Sequence, residues 1–178
     1  MDVEQAVHKL RVVRRFSPQP VSEADVDAIL EAGRRTGSSK NLQRWNFIVV
    51  REQARLAELA SVGPFAGHLA GGSVAIALIS PQPADADAPL SVMWDLGRAA
   101  QNMVLVALAR GIGSVPATVY DQSLCRQLLA YPEDRHCEFV LNFGHPAAVD
   151  ALTRPLRRGG RHALGDLVFY ERWGQERG

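Results

Sequence analysis

The chain has 178 residues, 47% hydrophobic and 22% charged, a composition that supports one packed domain over residues 1–178 and excludes a disordered chain. Twenty Lys+Arg against 19 Asp+Glu leave a net charge of +1, so no global field recruits nucleic acid or an anionic membrane. Two cysteines, Cys125 and Cys137, exclude a disulfide framework and lack the spacing of a zinc site, and no apolar run approaches the ~20 residues of a membrane span. No secretory segment opens the sequence, which predicts a soluble, cytoplasmic protein.

Val3, Ala6, Val7 and Leu10 recur at helical spacing and predict a short amphipathic first helix. Arg11, Arg14 and Arg15 cluster at its end ahead of Phe16, and Pro18 and Pro20 enforce an extended link. Ser22 with Asp25 resembles a capping box opening a second helix, with Val26, Ile29 and Leu30 inward and Gly33 and Gly37 at its exit. A loop over 38–43 leads through Trp45 into an apolar run, 47–50, that reads as a strand. A third helix is predicted over about 52–60, a glycine-rich loop over 63–72, a second, buried strand over 74–79 and an exposed loop over 80–89. The longest apolar periodicity, about 90–110, predicts a central helix buried on most sides and ended by Gly111 and Gly113. An extended piece over 115–119 precedes a helix capped by Asp121 and reaching Leu129, then a third strand over 137–143. A basic tail, 154–161, leads to a short helix or extended arm over 164–170. Strands separated by helices argue for α/β or α+β, with a sheet between helical layers.

The common catalytic patterns are missing. Five histidines, His8, His68, His136, His145 and His162, show no metal-ligand spacing and read as surface or packing residues. There is no Gly-x-Ser-x-Gly elbow and no Walker sequence, and Gly111-Ile112-Gly113 follows a helix and lacks the third glycine of a dinucleotide fingerprint. Chemistry without a dedicated side-chain catalyst points to a cofactor. Eighteen of the 20 cations are Arg, which grips phosphate with a planar fork. They include two clusters at opposite ends, Arg11/Arg14/Arg15 and Arg154/Arg157/Arg158/Arg161, the second beside Gly159 and Gly160, where backbone can approach an anion closely. Ser38, Ser39 and Asn41 offer groups suited to a phosphate or polyhydroxy chain; the same loop also reads as a plain helix-to-strand connection.

Four segments, in order, carry a resemblance. Arg11-Val12-Val13-Arg14-Arg15-Phe16, with Pro20-Val21 soon after, resembles the Arg-Arg-Ser-x-Arg-x-Phe opening of the nitroreductase-like FMN-dependent oxidoreductases. Ser38-Ser39-Lys40-Asn41-Leu42-Gln43-Arg44-Trp45-Asn46-Phe47 is similar to their Ser-x-x-Asn-x-Gln-Pro-Trp-x-Phe segment. Asp95, Gly97, Gln101 and Asn102, followed by Gly111-Ile112-Gly113, resemble their central-helix pattern, and Gly159-Gly160-Arg161 with Glu171-Arg172-Trp173 resembles their C-terminal end.

The resemblance implies an α+β sandwich, a central mostly antiparallel sheet flanked by helices, forming an intertwined homodimer through a C-terminal arm over about 162–178. It implies FMN held at its phosphate by Arg11 and Arg161, with Arg158 of the same cluster and the Val12 backbone contributing. Arg14 would lie at the flavin N1 and O2 edge, where a cation stabilises the negative charge left by two-electron reduction. Ser38, Ser39 and Asn41 would reach FMN bound mainly by the other subunit, and the backbone N–H groups of Thr118 and Val119 would serve N5. The implied activity passes hydride from NADH or NADPH through N5 to an electron-poor acceptor, a nitroaromatic or quinone, by ping-pong kinetics. A specialised flavin reductase or dehalogenase branch and a non-catalytic FMN-binding storage or sensor protein are the alternatives. Val12 stands for the family's serine and Arg44 for its proline, and the short 80–89 stretch predicts an open active site.

Overall fold

The computed structural model describes residues 1–83, 90–148, 150–153 and 160–175. Nine regular elements follow one another among them: α1 (Val3–Lys9), α2 (Glu23–Arg34), β1 (Asn46–Val50), α3 (Gln53–Leu59), β2 (Val74–Pro81), α4 (Ser91–Ala109), β3 (Gly113–Thr118), α5 (Gln122–Leu129) and β4 (Arg135–Gly144). Local signals start the helices where the sequence predicts. The Ser22 Oγ accepts from the Asp25 N–H at 3.1 Å, and the Asp121 carboxylate accepts from the Leu124 N–H at 2.8 Å, each satisfying a donor that the first helical turn leaves open.

The strands form one antiparallel sheet in the order β1-β2-β4-β3. Side chains alternate across it. Ala75, Ala77 and Ile79 of β2 face a cluster built with α3, α5 and the turn after α3, where Leu56, Leu59, Leu69, Cys125 and Cys137 are buried. Val74, Ile76 and Leu78 face the opposite cluster with Ile29 of α2, Met103 of α4 and Phe143 of β4. β2 is apolar from Val74 to Ile79 for a simple reason: helices cover both of its faces. The result is the expected α+β sandwich.

Two expectations change. The extended piece after the central helix is a full edge strand, β3, and Gly113 opens it rather than closing the helix; Gly111, at φ 73°, makes the turn. The central helix is not buried on most sides. Its Leu96, Ala99, Met103 and Ala107 face inward, while Trp94 is 71% exposed and Gly97, Arg98 and Gln101 are exposed, because none of the described residues covers that side. No helix among the described residues is long and apolar enough to cross a membrane.

Phe143 is fully buried between β4 and α4. Phe143→Ala should cost about 3–5 kcal/mol in chemical denaturation; a loss below about 1 kcal/mol would contradict this packing.

Candidate functional site

Beyond α1 the chain runs as an extended strap against β3. Val12 forms a parallel bridge with Ser114, and the Val13 N–H donates to the Ser114 carbonyl at 2.9 Å. Two glycines permit this approach: a Cβ at Gly113 would stand 2.7 Å from that of Val13, and one at Gly144 2.7 Å from the Phe16 ring. The Ser17 N–H to the His145 carbonyl, 2.8 Å, and the Ala147 N–H to the Arg15 carbonyl, 3.0 Å, tie down the far end. The strap thereby holds Arg11, Val12 and Arg14 on fixed backbone.

β3 has one neighbour, β4, so alternate backbone groups face away from the sheet. The Val119 N–H donates to the Glu138 carbonyl at 3.0 Å, and the antiparallel alternation then turns Ser114, Pro116 and Thr118 outward. Proline fits this edge because it has no N–H to leave unpaired. Of the two backbone donors singled out in the sequence, Thr118 lies on the open edge, whereas the Val119 N–H is committed to the sheet.

A cleft of about 440 Å³ opens between α4 and the end of the sheet at β3 and β4. Its walls are apolar, with Met93, Leu96, Val104, Pro116 and Leu141, and its cations are Arg11 and Arg161. Residues from the two ends of the chain thus line one space. The Arg11 Nη1 donates to the carbonyls of His8 and Leu10, both at 2.8 Å, while its Nε is buried with no hydrogen-bond partner among the described residues. Val12 lines the same cleft. Arg154, Arg157, Arg158 and Gly159 lie outside the described residues.

Ser38, Ser39 and Asn41 are not among the residues lining this cleft; they are fastened to α4 instead. The buried Asp95 carboxylate accepts from the Ser39 N–H at 2.8 Å, and the Arg98 guanidinium donates to the Gly37 carbonyl at 3.2 Å. Lys40, Asn41 and Gln43 adopt positive φ, at 51°, 55° and 47°, an arrangement that costs energy for residues with a Cβ. The Ser38 Oγ, which accepts from the Gln43 N–H at 2.9 Å, helps to hold it.

His68 departs from the reading of the histidines as bland surface or packing groups. It sits on a 3-10 turn, Ala66–Gly71, whose His68 carbonyl accepts from the buried Asn142 amide at 2.7 Å. Gly72 lies so close to that amide that any Cβ would collide with it. The turn packs against β3, and the His68 ring is half-buried. Burial, and then the Arg14 charge, hold its pKa below the usual imidazole range, with the Pro116 carbonyl pulling the other way. No spacing signal marks His68, because its neighbours Arg14 and Pro116 come from other elements.

Asp95→Ala should cost about 1.5–3 kcal/mol, the scale of a hydrogen bond to a charged group. An unchanged denaturation midpoint would show that the Ser39 contact does not fasten the loop.

The Nitroreductase family matches residues 9–66 and 63–145. A protein of Archaeoglobus fulgidus named NADH dehydrogenase/NAD(P)H nitroreductase is 32% identical over 146 residues, covering 79% of this chain and 83% of its own. A protein of the same name in Methanothermobacter thermautotrophicus is 30% identical over 151 residues, covering 83% and 78%. The crystal structure of a nitroreductase from Desulfovibrio desulfuricans in complex with FMN matches at TM-score 0.78 and 28% identity, over 97% of this chain and 98% of that one. With the strap, the sheet and the central helix all inside the matched spans, this chain belongs to the nitroreductase family.

Proposed function

We propose that this chain is an FMN-dependent oxidoreductase that takes reducing equivalents from NAD(P)H and delivers them to an electron-poor acceptor of the nitroaromatic or quinone class. The observation that carries this reading is the convergence of Arg11 and Arg161 on one apolar cleft beside the open edge of β3, with the Arg11 Nε buried and lacking a partner among the described residues. A buried donor left open costs free energy until a bound group supplies an acceptor. The residues therefore fit FMN: a phosphate would meet two guanidinium groups in charge-assisted hydrogen bonds, and the apolar walls suit a planar ring system. The relatives named NAD(P)H nitroreductase and the relative solved with FMN support the same assignment.

Bound FMN would supply the redox chemistry, accepting hydride at N5 and passing it on by ping-pong turnover. The chain's own residues bind and orient. Arg11 and Arg161 would hold the phosphate, the Thr118 N–H on the strand edge would orient the reacting edge, and Arg14 would stabilise negative charge there. Among the described residues lining the cleft, no side chain is suited to the transfer itself.

The site is best completed by a second copy in a homodimer. Among the described residues, Ser38, Ser39 and Asn41 are absent from the cleft of their own chain, none covers one side of α4, and Leu164, Leu167 and Trp173 of the C-terminal arm are exposed, Trp173 at 91%. Large apolar groups left on a terminal segment are stabilised by packing on a partner.

Protein loaded with FMN and desalted should keep its flavin bands, bleach with NADPH or NADH under anaerobic conditions, and recover colour with a nitroaromatic; it should elute at twice the chain mass. Bands that stay unbleached would leave a binding protein without turnover. Arg161→Ala and Arg11→Ala should each weaken FMN binding by about 1.5–3 kcal/mol, roughly ten- to hundredfold in Kd. Unchanged Kd in both variants would remove the phosphate assignment.

A further inference from the structure

We propose that His68 is a proton-holding positioning residue of this site: neutral beside the oxidised cofactor, it takes up a proton from solvent when negative charge develops along the open edge of β3. The inference rests on the FMN reading above and goes beyond it by assigning a titratable group beside a cleft whose charged lining residues are the permanent cations Arg11 and Arg161.

Three observations on the chain itself carry it. The turn that carries His68 packs against β3, whose outward positions are Ser114, Pro116 and Thr118, and both the Pro116 carbonyl and the Arg14 charge act on its ring. Its Nδ1 is buried and has no hydrogen-bond partner among the described residues, an arrangement that a group bound along the edge would relieve. Its backbone is clamped, through the Asn142 amide and the tight approach of Gly72, so the ring is presented from a fixed turn rather than a mobile loop.

The surroundings decide the sign. The turn packs against α3 and β3. β3 carries no ionisable side chain, β4 presents the neutral Asn142, and α3 carries Glu58 and Arg55, the latter ion-paired to Glu52 at 2.8 Å. Arg14, from the strap, is the charge that acts on the ring. With burial and Arg14 both opposing protonation, His68 is neutral near pH 7. Negative charge arriving along the same edge offsets both effects and raises the affinity of the imidazole for a proton. A hydride brings two electrons and one proton to the cofactor; the further proton comes from water and resides on His68. Between the two His68 pKa values, reduction therefore binds one proton more per electron pair.

The test compares midpoint potentials of the FMN-loaded wild type and His68→Gln between about pH 5 and 8. One extra proton per two electrons is a tenfold change in the equilibrium per pH unit, so the wild-type potential should fall more steeply by about 30 mV per pH unit within the window. Proton NMR of the His68 ring in wild-type holoprotein supplies a readout that needs no variant: its titration midpoint should rise on reduction. Parallel potential slopes together with an unmoved ring titration would overturn the inference while leaving FMN binding intact. Wild type that retains no FMN would instead overturn the reading on which it rests.

Discussion

The open edge of β3 is the constraint on which the site depends. A strand with a single neighbour must turn half of its backbone polar groups away from the sheet, and the Val119–Glu138 bond decides which half. Ser114, Pro116 and Thr118 face outward as a result. The Ser114 carbonyl is met by the Val13 N–H of the strap, Pro116 has no N–H to pair, and the Thr118 N–H stays on the open edge. An unpaired edge is ordinarily a liability that proteins cover; here a strap, a proline and a 3-10 turn cover it in part, and the uncovered remainder lies beside the cleft.

The strap shows how core packing controls the cations. Arg11 and Arg14 have no regular secondary structure of their own, yet the residues between and after them are locked: Val13 on Gly113 and Phe16 on Gly144. The glycines matter as missing side chains, since either Cβ would push the strap off the sheet. The backbone that carries both arginines is thus positioned by apolar contact and backbone hydrogen bonds.

Helix α4 joins the two halves of the reading. Its inner face closes the core through Met103 and Leu96, its N-terminal half lines the cleft, and Asp95 fastens the loop bearing Ser38, Ser39 and Asn41. The side of α4 that the described residues leave exposed carries Trp94 and Gly97 together with the polar Arg98 and Gln101. One helix thus closes the core, lines the cleft and fastens a loop that does not line it.

Much of this was legible along the chain. The caps at Ser22 and Asp121, the doubly buried strand β2 and the existence of the central helix are local or periodic properties, set within a few residues by propensity, hydrogen bonding and burial pattern. The order of four motifs was enough to suggest the family and to pair Arg11 with Arg161. Whether the Thr118 or the Val119 N–H is open, that the turn bearing His68 packs on β3, and that the described residues leave one side of α4 exposed could be decided only by the tertiary structure. Each depends on strand register or on contact between residues remote in sequence, and neither composition nor periodicity encodes which remote groups finally share an edge.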